Sequence, residues 1–375
     1  MVQAHEADYG QVFKHLQYQN NLTLTKATVN MSNEKDGMAI NSQMLAVNWK
    51  SNSTIAVINA NKPFAFSPST PLIRGHTGAI YDIQWSPFEE RLLATCADDG
   101  KVKMWVFDDF EGCKENLVEA DMELEAHPRK CLNVRWHRSV ESLLATCSID
   151  KTVKIWDINE DRADEPAFTF AELSDYATSV RWSPNGKLIA STTKDKKLVV
   201  IDPRQAQLIG GNACHAGPRQ QRLEWSDDDT IITTGFDREA QRQWSAWDTR
   251  NLEQPLLQGP LGEGSGVPFF HFDREFKAFI LCGRGDGVAS TYIFDKSQPQ
   301  MLTFLSQYVF PGATTQKAFA IAPKHAVDPS KQEILRGARA TNKDTIEILN
   351  MTVPSRVGGF NQDYYLPFSA NEPSS

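Results

Sequence analysis

Short apolar runs and turn-forming segments alternate along most of the 375-residue chain. Runs such as VKIW at 153–156 and LVVI at 198–201 are rich in β-branched and apolar residues, which is typical of strands. Segments such as DDG at 98–100 and PNG at 184–186 supply turn chemistry between the runs. No segment keeps the 3.6-residue apolar period of a long helix. The pattern therefore predicts an all-β protein with few helices.

The strand-like runs recur as copies of one longer unit. LLATCADDGKVKMW at 92–105 and LLATCSIDKTVKIW at 143–156 share most of their letters, and looser copies follow them. Five matching end positions lie 51, 45, 46 and 47 residues apart, at Trp105, Trp156, Ile201, Trp247 and Phe294. The last four are each followed by an aspartate. A period in the forties with a Trp-Asp ending is the signature of the WD-repeat β-propeller.

The repeats and the strand-like runs on either side of them correspond to seven blades. Five blades lie between about 72 and 297, and strand-like runs on either side supply a degenerate first and last blade. The sequence therefore predicts a seven-bladed propeller over residues 1–351, with LTLTKATV at 22–29 as the first strand of the first blade. Because an open ring leaves edge strands unpaired, we expect the segment at about 10–18 to add a strand to the last blade.

The two close copies carry the same four polar or aromatic residues at identical spacing. The sets are His76, Thr95, Asp99 and Trp105 in the first copy, and His127, Thr146, Asp150 and Trp156 in the second. Such groups can serve as acids, bases or nucleophiles, but active sites are rarely present in tandem copies. We therefore predict one structural hydrogen-bond network per blade, which makes the blade rigid.

Composition narrows the classes of function. The net charge is −8 and the chain has no strong basic run, which argues against nucleic-acid binding. A negative total charge is still compatible with a local basic face that binds an acidic protein partner. No apolar window approaches 18 residues and no signal peptide is visible, so we expect a cytoplasmic chain without a transmembrane segment. The six cysteines lack CxxC spacing, which predicts buried free thiols. The chain shows no hydrolase, metal-binding or phosphate-loop motif, and we expect no enzyme activity, metal or cofactor.

Several details outside the generic repeat resemble the coronin family. They include ILCGRGDGVASTYIF at 280–294, Met351-Thr352-Val353-Pro354 near the end and Phe13-Lys14-His15 near the start. The resemblance covers essentially the whole chain. It implies a non-enzymatic protein that binds actin filaments and regulates the actin cytoskeleton in the actin-rich cortex. It also implies that residues 352–375 form a short C-terminal extension that packs back on the propeller.

The resemblance points to two lysines as filament contacts. Lys26 occupies the place of a basic residue that is important for filament binding in the family, and Lys14 belongs to the basic N-terminal motif. The resemblance is also compatible with other actin regulators as partners and with peripheral contact to phosphoinositides. The chain has no heptad repeat, so we expect a monomer without the family's coiled-coil roles. The alternative function is a WD-repeat adaptor of a trafficking or signalling complex that does not bind filaments.

Overall fold

The computed structural model describes residues 16–29, 36–159, 164–264 and 266–352. Over these ranges the chain forms 27 β-strands and three one-turn 3-10 helices, at Pro311–Ala313, Lys324–Ala326 and Pro329–Lys331. The prediction of an all-β chain is confirmed. None of the helices in the described ranges has the length and apolar composition that crossing a bilayer requires.

The strands form seven antiparallel sheets arranged as a ring of blades, so the predicted seven-bladed propeller is also confirmed. The first strand, β1 (Gln17–Leu24), precedes the first blade. The first blade contains β2 (Met38–Ile40), β3 (Met44–Asn48) and β4 (Ile55–Asn59). The second contains β5 (Ile80–Trp85), β6 (Leu92–Ala97), β7 (Val102–Val106) and β8 (Met122–Leu124). The third contains β9 (Cys131–Trp136), β10 (Leu143–Ser148), β11 (Val153–Asp157) and β12 (Phe168–Phe170).

The remaining blades follow the same order. The fourth contains β13 (Ala177–Trp182), β14 (Ile189–Thr193), β15 (Lys197–Asp202) and β16 (Gln207–Ala213). The fifth contains β17 (Arg222–Trp225), β18 (Thr230–Phe236), β19 (Arg242–Asp248) and β20 (Leu257–Pro260). The sixth contains β21 (Pro268–Asp273), β22 (Ala278–Gly283), β23 (Val288–Phe294) and β24 (Leu302–Val309). The seventh contains β25 (Gln316–Ile321), β26 (Glu333–Thr341), β27 (Ile346–Thr352) and, on its outer edge, β1.

The ring closes where the first strand of the chain pairs with the last. β1 runs antiparallel to β27, from the Gln17–Thr352 pair to the Leu24–Ile346 pair. The sequence placed LTLTKATV at 22–29 in the first blade, and this placement is wrong, because its first three residues end the closing strand of the seventh blade. This pairing gives hydrogen-bond partners to the outer edge of β27, which would otherwise be unpaired. Of the segment predicted to close the ring, residues 10–15 lie outside the described residues, as do residues 353–375 of the predicted extension.

The core lies between neighbouring blades. Met44 and Ile55 of the first blade pack in one cluster with Trp105 of the second, and Met104 of the second packs with Trp156 of the third. Because each sheet has two apolar faces, stacking is the only way to bury both. Tryptophans on the innermost strands also donate a hydrogen bond to a backbone carbonyl of the preceding blade. The donor–acceptor pairs are Trp85–Ala39, Trp136–Gln84, Trp182–Arg135 and Trp225–Arg181.

The antiparallel order gives the ring two distinct faces. The innermost strands (β2, β5, β9, β13, β17, β21 and β25) line a central channel and all begin at one face, which we call the upper face. The turns between the second and third strands of each blade lie at the same face. The lower face is the one where the innermost strands end. Residues 25–29 lead from the outer strand of the seventh blade into the first blade, so they lie on the upper face.

Replacing Tyr18 with alanine tests the closure. The Tyr18 ring is 5% exposed. Its centroid lies 4.8 Å from that of Tyr308 and 5.6 Å from that of Phe310, both outside the seventh blade. Losing a buried aromatic ring should lower the free energy of unfolding by about 3–5 kcal/mol, measured by denaturant unfolding. Gln19→Ala, at the exposed neighbouring position of β1, is the control and should change stability little. Equal stability of the two variants would contradict the closing role of β1.

Candidate functional site

The four residues of each close copy lie within hydrogen-bonding distance of one another. In the third blade, His127 Nδ1 lies 2.9 Å from Asp150 Oδ2, and His127 Nε2 lies 2.8 Å from Thr146 Oγ1. Trp156 Nε1 donates to the same threonine oxygen over 3.0 Å. The second blade repeats this geometry with distances of 2.9, 2.8 and 3.1 Å, using His76, Thr95, Asp99 and Trp105.

The donors in the third-blade network follow one direction. The indole N–H of Trp156 donates to Thr146, whose hydroxyl then donates to Nε2 of His127, and Nδ1–H donates to Asp150. Burial raises the pKa of Asp150, but hydrogen bonds from His127 and Thr152 outweigh burial and lower it to about 2. Burial also lowers the pKa of His127, against the raising effect of Asp150. The histidine is therefore neutral and its polar atoms are occupied by the network.

Two further blades contain variants of this network that the sequence did not identify. In the fifth blade, His215 Nε2 lies 3.0 Å from Thr233 Oγ1, which accepts from Trp247 Nε1 over 3.0 Å. Asp237, the turn aspartate, bonds backbone amides instead, and His215 Nδ1 has no hydrogen-bond partner among the described residues. The histidine followed ten residues later by Trp225 is the sequence signal that could have revealed it.

In the fourth blade a serine stands where the histidine would be. Ser174 donates to Asp195 over 2.7 Å, and Thr193 donates to the same carboxylate over 2.6 Å. Burial raises the pKa of Asp195, but these hydrogen bonds and Lys197 lower it to about 2. The histidine side chains of the second and third blades are fully enclosed, so a substrate has no access to them. A structural role for these networks stays a prediction, which the Asp150 variant below tests.

Lys26 lies on the upper face, and its side chain forms no hydrogen bond or ion pair with the described residues. It follows β1 in a bend, with φ of 59°, and is exposed. The sequence placed Lys26 inside a strand, and this is wrong because a left-handed residue cannot continue an extended strand. Backbone bonds hold its neighbours: Ala27 N donates to Asp344 over 2.8 Å and Thr25 N to Phe64 over 3.2 Å. Lys14, the other predicted contact, lies outside the described residues.

A basic pocket opens on the same face, over the second to fifth blades. It has a volume of about 620 Å³, and its charged lining residues are all cationic. They are Arg129, Lys130, Lys151, Lys194, Lys196 and Arg219, together with Tyr81 and Tyr176. Burial and the charge of Lys194 lower the pKa of Lys196. The sequence could not reveal this upper-face pocket, because loops of several blades contribute to it and the net charge of the chain is negative.

Several cations of the upper-face pocket are not neutralised. Lys130 pairs with Asp98 over 2.9 Å, and Lys196 donates to the carbonyls of Pro218 and Arg219. Arg129 and Lys194, by contrast, form no ion pair with any described residue. Arg129 and Lys194 can therefore attract an acidic partner without first breaking an internal ion pair, whereas Lys130 cannot.

Comparison with known proteins agrees with this architecture. The family model for the WD domain, G-beta repeat, matches residues 67–106, 121–157 and 165–202. The coronin-like protein of Schizosaccharomyces pombe is 31% identical over 343 residues, which is 90% of this chain and 56% of that protein. Coronin-2B of Mus musculus is 30% identical over 339 residues, which is 90% of this chain and 69% of that protein. The chain belongs to the coronin family.

A solved structure supports the same assignment for this coronin. The crystal structure of the WD40 domain from Toxoplasma gondii coronin superposes with a TM-score of 0.87 at 28% identity, covering 96% of this chain and 93% of that one. The resemblance inferred from residues 280–294 and 351–354 is thereby confirmed at the level of the family. The chain spans little more than half the length of the fission yeast relative, at 56%.

Replacing Asp150 with alanine should destabilise the propeller. The carboxylate bonds His127, the Thr152 amide at 2.9 Å and the Thr152 hydroxyl at 2.7 Å, and losing it leaves buried donors unsatisfied. We expect a loss of about 1–3 kcal/mol in the free energy of unfolding. Asp229→Ala, at an exposed turn aspartate, is the control and should change little. A fully stable Asp150→Ala protein that no longer binds its partner would instead assign Asp150 to a binding surface.

His215 should make stability depend on pH. Burial and then the charge of Lys196 lower the pKa of His215 from 6.5 to about 4, against the raising effect of Thr233. Below pH 6.5, His215 takes up a proton in the unfolded chain but stays neutral in the folded chain. The free energy of unfolding therefore falls as the pH is lowered to about 4. His215→Gln removes this proton, and its loss of stability between pH 7 and pH 4 should be smaller by about 1–3 kcal/mol. His325→Gln, at a more exposed histidine, should behave like the parent in the same unfolding series.

Proposed function

We propose that this coronin binds actin filaments through its upper face and acts as a non-enzymatic regulator of the actin cytoskeleton. The observation that carries the proposal is Lys26, which is exposed on the upper face and has no partner among the described residues, in a family member whose net charge is −8. A filament-binding role would place the protein in the cytoplasm at the actin-rich cortex. Other actin regulators would then be secondary partners of the same protein, which we expect to be monomeric.

The charge of the two partners explains why specific lysines matter. The filament surface is acidic and this chain is acidic overall, so long-range repulsion opposes encounter. Attachment therefore depends on local basic groups that approach the filament without an internal partner. Lys26 meets this condition, since its side chain makes no hydrogen bond or ion pair with any described residue.

The backbone holds this lysine in one place. Its two neighbours in sequence are bonded to the first and seventh blades, which meet at the closing seam. The side chain is therefore presented on a rigid base although it remains free at its tip. Lysine offers a compact charge without the planar fork of arginine, so a contact made by Lys26 should weaken steeply as salt is added.

The alternative function is a WD-repeat adaptor, and the upper-face pocket is the observation that favours it. Its volume of about 620 Å³ lies in the range of sites that enclose a ligand, and its cationic lining suits an acidic segment of a protein partner. Phosphoinositide headgroups share this negative charge. An adaptor would use the pocket while leaving filaments unbound, so filament pelleting separates the two functions.

Reversing the charge at Lys26 tests the proposal. Lys26→Asp should sharply reduce co-sedimentation with filamentous actin at low salt and leave the melting temperature nearly unchanged, because aspartate tolerates the left-handed backbone. Lys26→Asn is the neutral version at the same backbone geometry and should show an intermediate loss. Lys14→Asp can be measured in the same assay.

Lys187→Asp is the matched control for this experiment. Lys187 is exposed and lies between the first two strands of the fourth blade, which places it on the lower face. It should pellet with filaments like the parent. If the parent protein does not pellet, filament binding is wrong and the adaptor function is favoured. If Lys26→Asp pellets like the parent across a salt series, the filament contacts another part of the protein.

A further inference from the structure

The upper-face pocket combines apolar and basic groups. Its inner side is the upper mouth of the central channel, because Tyr81, Leu132 and Thr178 are each the second residue of an innermost strand. Leu132 is only partly buried and leaves apolar surface on this side. The outer side consists of loops of the third, fourth and fifth blades, which carry all six cations. A ligand in the pocket would therefore meet apolar surface at the mouth of the channel and positive charge around it.

Hydrogen bonds between neighbouring blades hold the walls of the pocket. Lys151 Nζ donates to the carbonyl of Ser174 over 3.0 Å, which links the third blade to the fourth. Lys196 Nζ donates to the carbonyl of Pro218 over 3.1 Å and to that of Arg219 over 2.8 Å, which links the fourth blade to the fifth. Because the loops are already joined in this way, a ligand would not have to order them first, and less free energy is lost on binding.

Most of the cations in the pocket have no carboxylate partner. Lys130 pairs with Asp98 over 2.9 Å, and Lys151 lies 4.0 Å from Asp175. The other four cations form no ion pair with any residue that the structure describes: Arg129, Lys194, Lys196 and Arg219. The pocket therefore holds more positive charge than the neighbouring acids neutralise.

The aspartates on the same turns have other partners. Asp150 belongs to the third-blade network, and Asp195 pairs with Lys197 over 3.0 Å. Lys194 and Lys196 therefore act on each other as like charges. Burial and this repulsion lower the pKa of Lys196. A negative group in the pocket would relieve the repulsion between the two lysines.

The overall charge of the chain favours an extended segment over a flat surface as the ligand. A flat anionic membrane would also face the acidic remainder of the chain, whose net charge is −8, and would be repelled by it. An extended segment can enter the pocket and meet its cations alone, as in other acidic motifs read by basic clusters. We propose that the upper-face pocket binds an extended acidic segment of a protein partner, with one apolar side chain at the mouth of the channel and carboxylates at Arg129 and Lys194.

This site does not rest on filament binding. Lys26 lies at the seam between the seventh and first blades, whereas the pocket lies over the second to fifth blades. The two sites share no residue. The protein would then hold a filament and an acidic partner on one face at the same time, and each contact can be removed without the other.

The test is a fluorescence-anisotropy titration of the full chain with a labelled synthetic peptide, in which glutamates flank one phenylalanine on both sides. The parent protein should bind this peptide saturably, and the affinity should fall as salt is added. A peptide with glycine in place of the phenylalanine should bind more weakly, because it lacks the apolar side chain. A peptide with lysines in place of the glutamates should not bind.

Lys194→Glu should weaken binding of the glutamate peptide by about tenfold or more. Lys194 is exposed, so the melting temperature of this variant should match that of the parent, and it should still pellet with filaments. Lys343→Glu is the control, since Lys343 is exposed on the same face at the seventh blade, outside the pocket. It should bind the peptide like the parent, and so should Lys26→Asp.

Three results of the peptide titration would overturn the proposal: no saturable binding to the parent, an unchanged affinity in Lys194→Glu, or an equal loss in Lys343→Glu. If Lys194→Glu also stops pelleting with filaments, the pocket is part of the filament contact and a separate site is wrong. If vesicles that contain phosphatidylinositol bisphosphate bind through Lys194 and the peptide does not, the ligand is a membrane instead. If Lys194→Glu fails to fold, Arg129→Glu replaces it. A parent that does not pellet contradicts filament binding alone, because the peptide titration still decides this proposal.

Discussion

The pairing of the first strand with the last is the constraint on which the rest of the structure depends. β1 and β27 come from opposite ends of the described chain, and their seven paired positions join the ring at the seventh blade. A propeller blade is stable only between two neighbours, so an open ring would leave apolar faces at both ends. Closure removes those faces and holds the seven innermost strands around one channel. The Lys26 bend, beside the seam, depends on it as well, because its neighbours bond to the first and seventh blades.

Within a blade, the buried polar side chains near the turns must also find hydrogen-bond partners. The second and third blades use a complete chain from tryptophan through threonine and histidine to aspartate. The fifth blade keeps the first three groups without the acid, and the fourth replaces the histidine with Ser174. These differences make the blades unequal in their response to pH. Loss of a proton-accepting partner leaves His215 buried and neutral, whereas His127 retains Asp150 beside it.

The repeat and its networks could be predicted because their information is local. Identical spacing of His76, Thr95 and Asp99 with the second copy shows that they share one role within a blade. The place of residues 22–24 could not be predicted, because an apolar alternating run fits either the first or the seventh blade. Only pairing with the far end of the chain decides between them. The upper-face pocket was missed for the same reason, since separate blades supply its charges.

The positive groups of this acidic chain are of two kinds. Lys26 and Arg129 at the upper face are exposed, so they lose little free energy before a partner arrives and their attraction is reduced by salt. Arg135 and Arg222 line the channel and are each paired with a carboxylate, so their charge is already matched inside the fold. Exposed basic residues suit transient contact with a large acidic surface. The paired arginines instead join neighbouring parts of the ring, because Asp36, which precedes the first blade, binds both Arg135 of the third blade and Arg222 of the fifth.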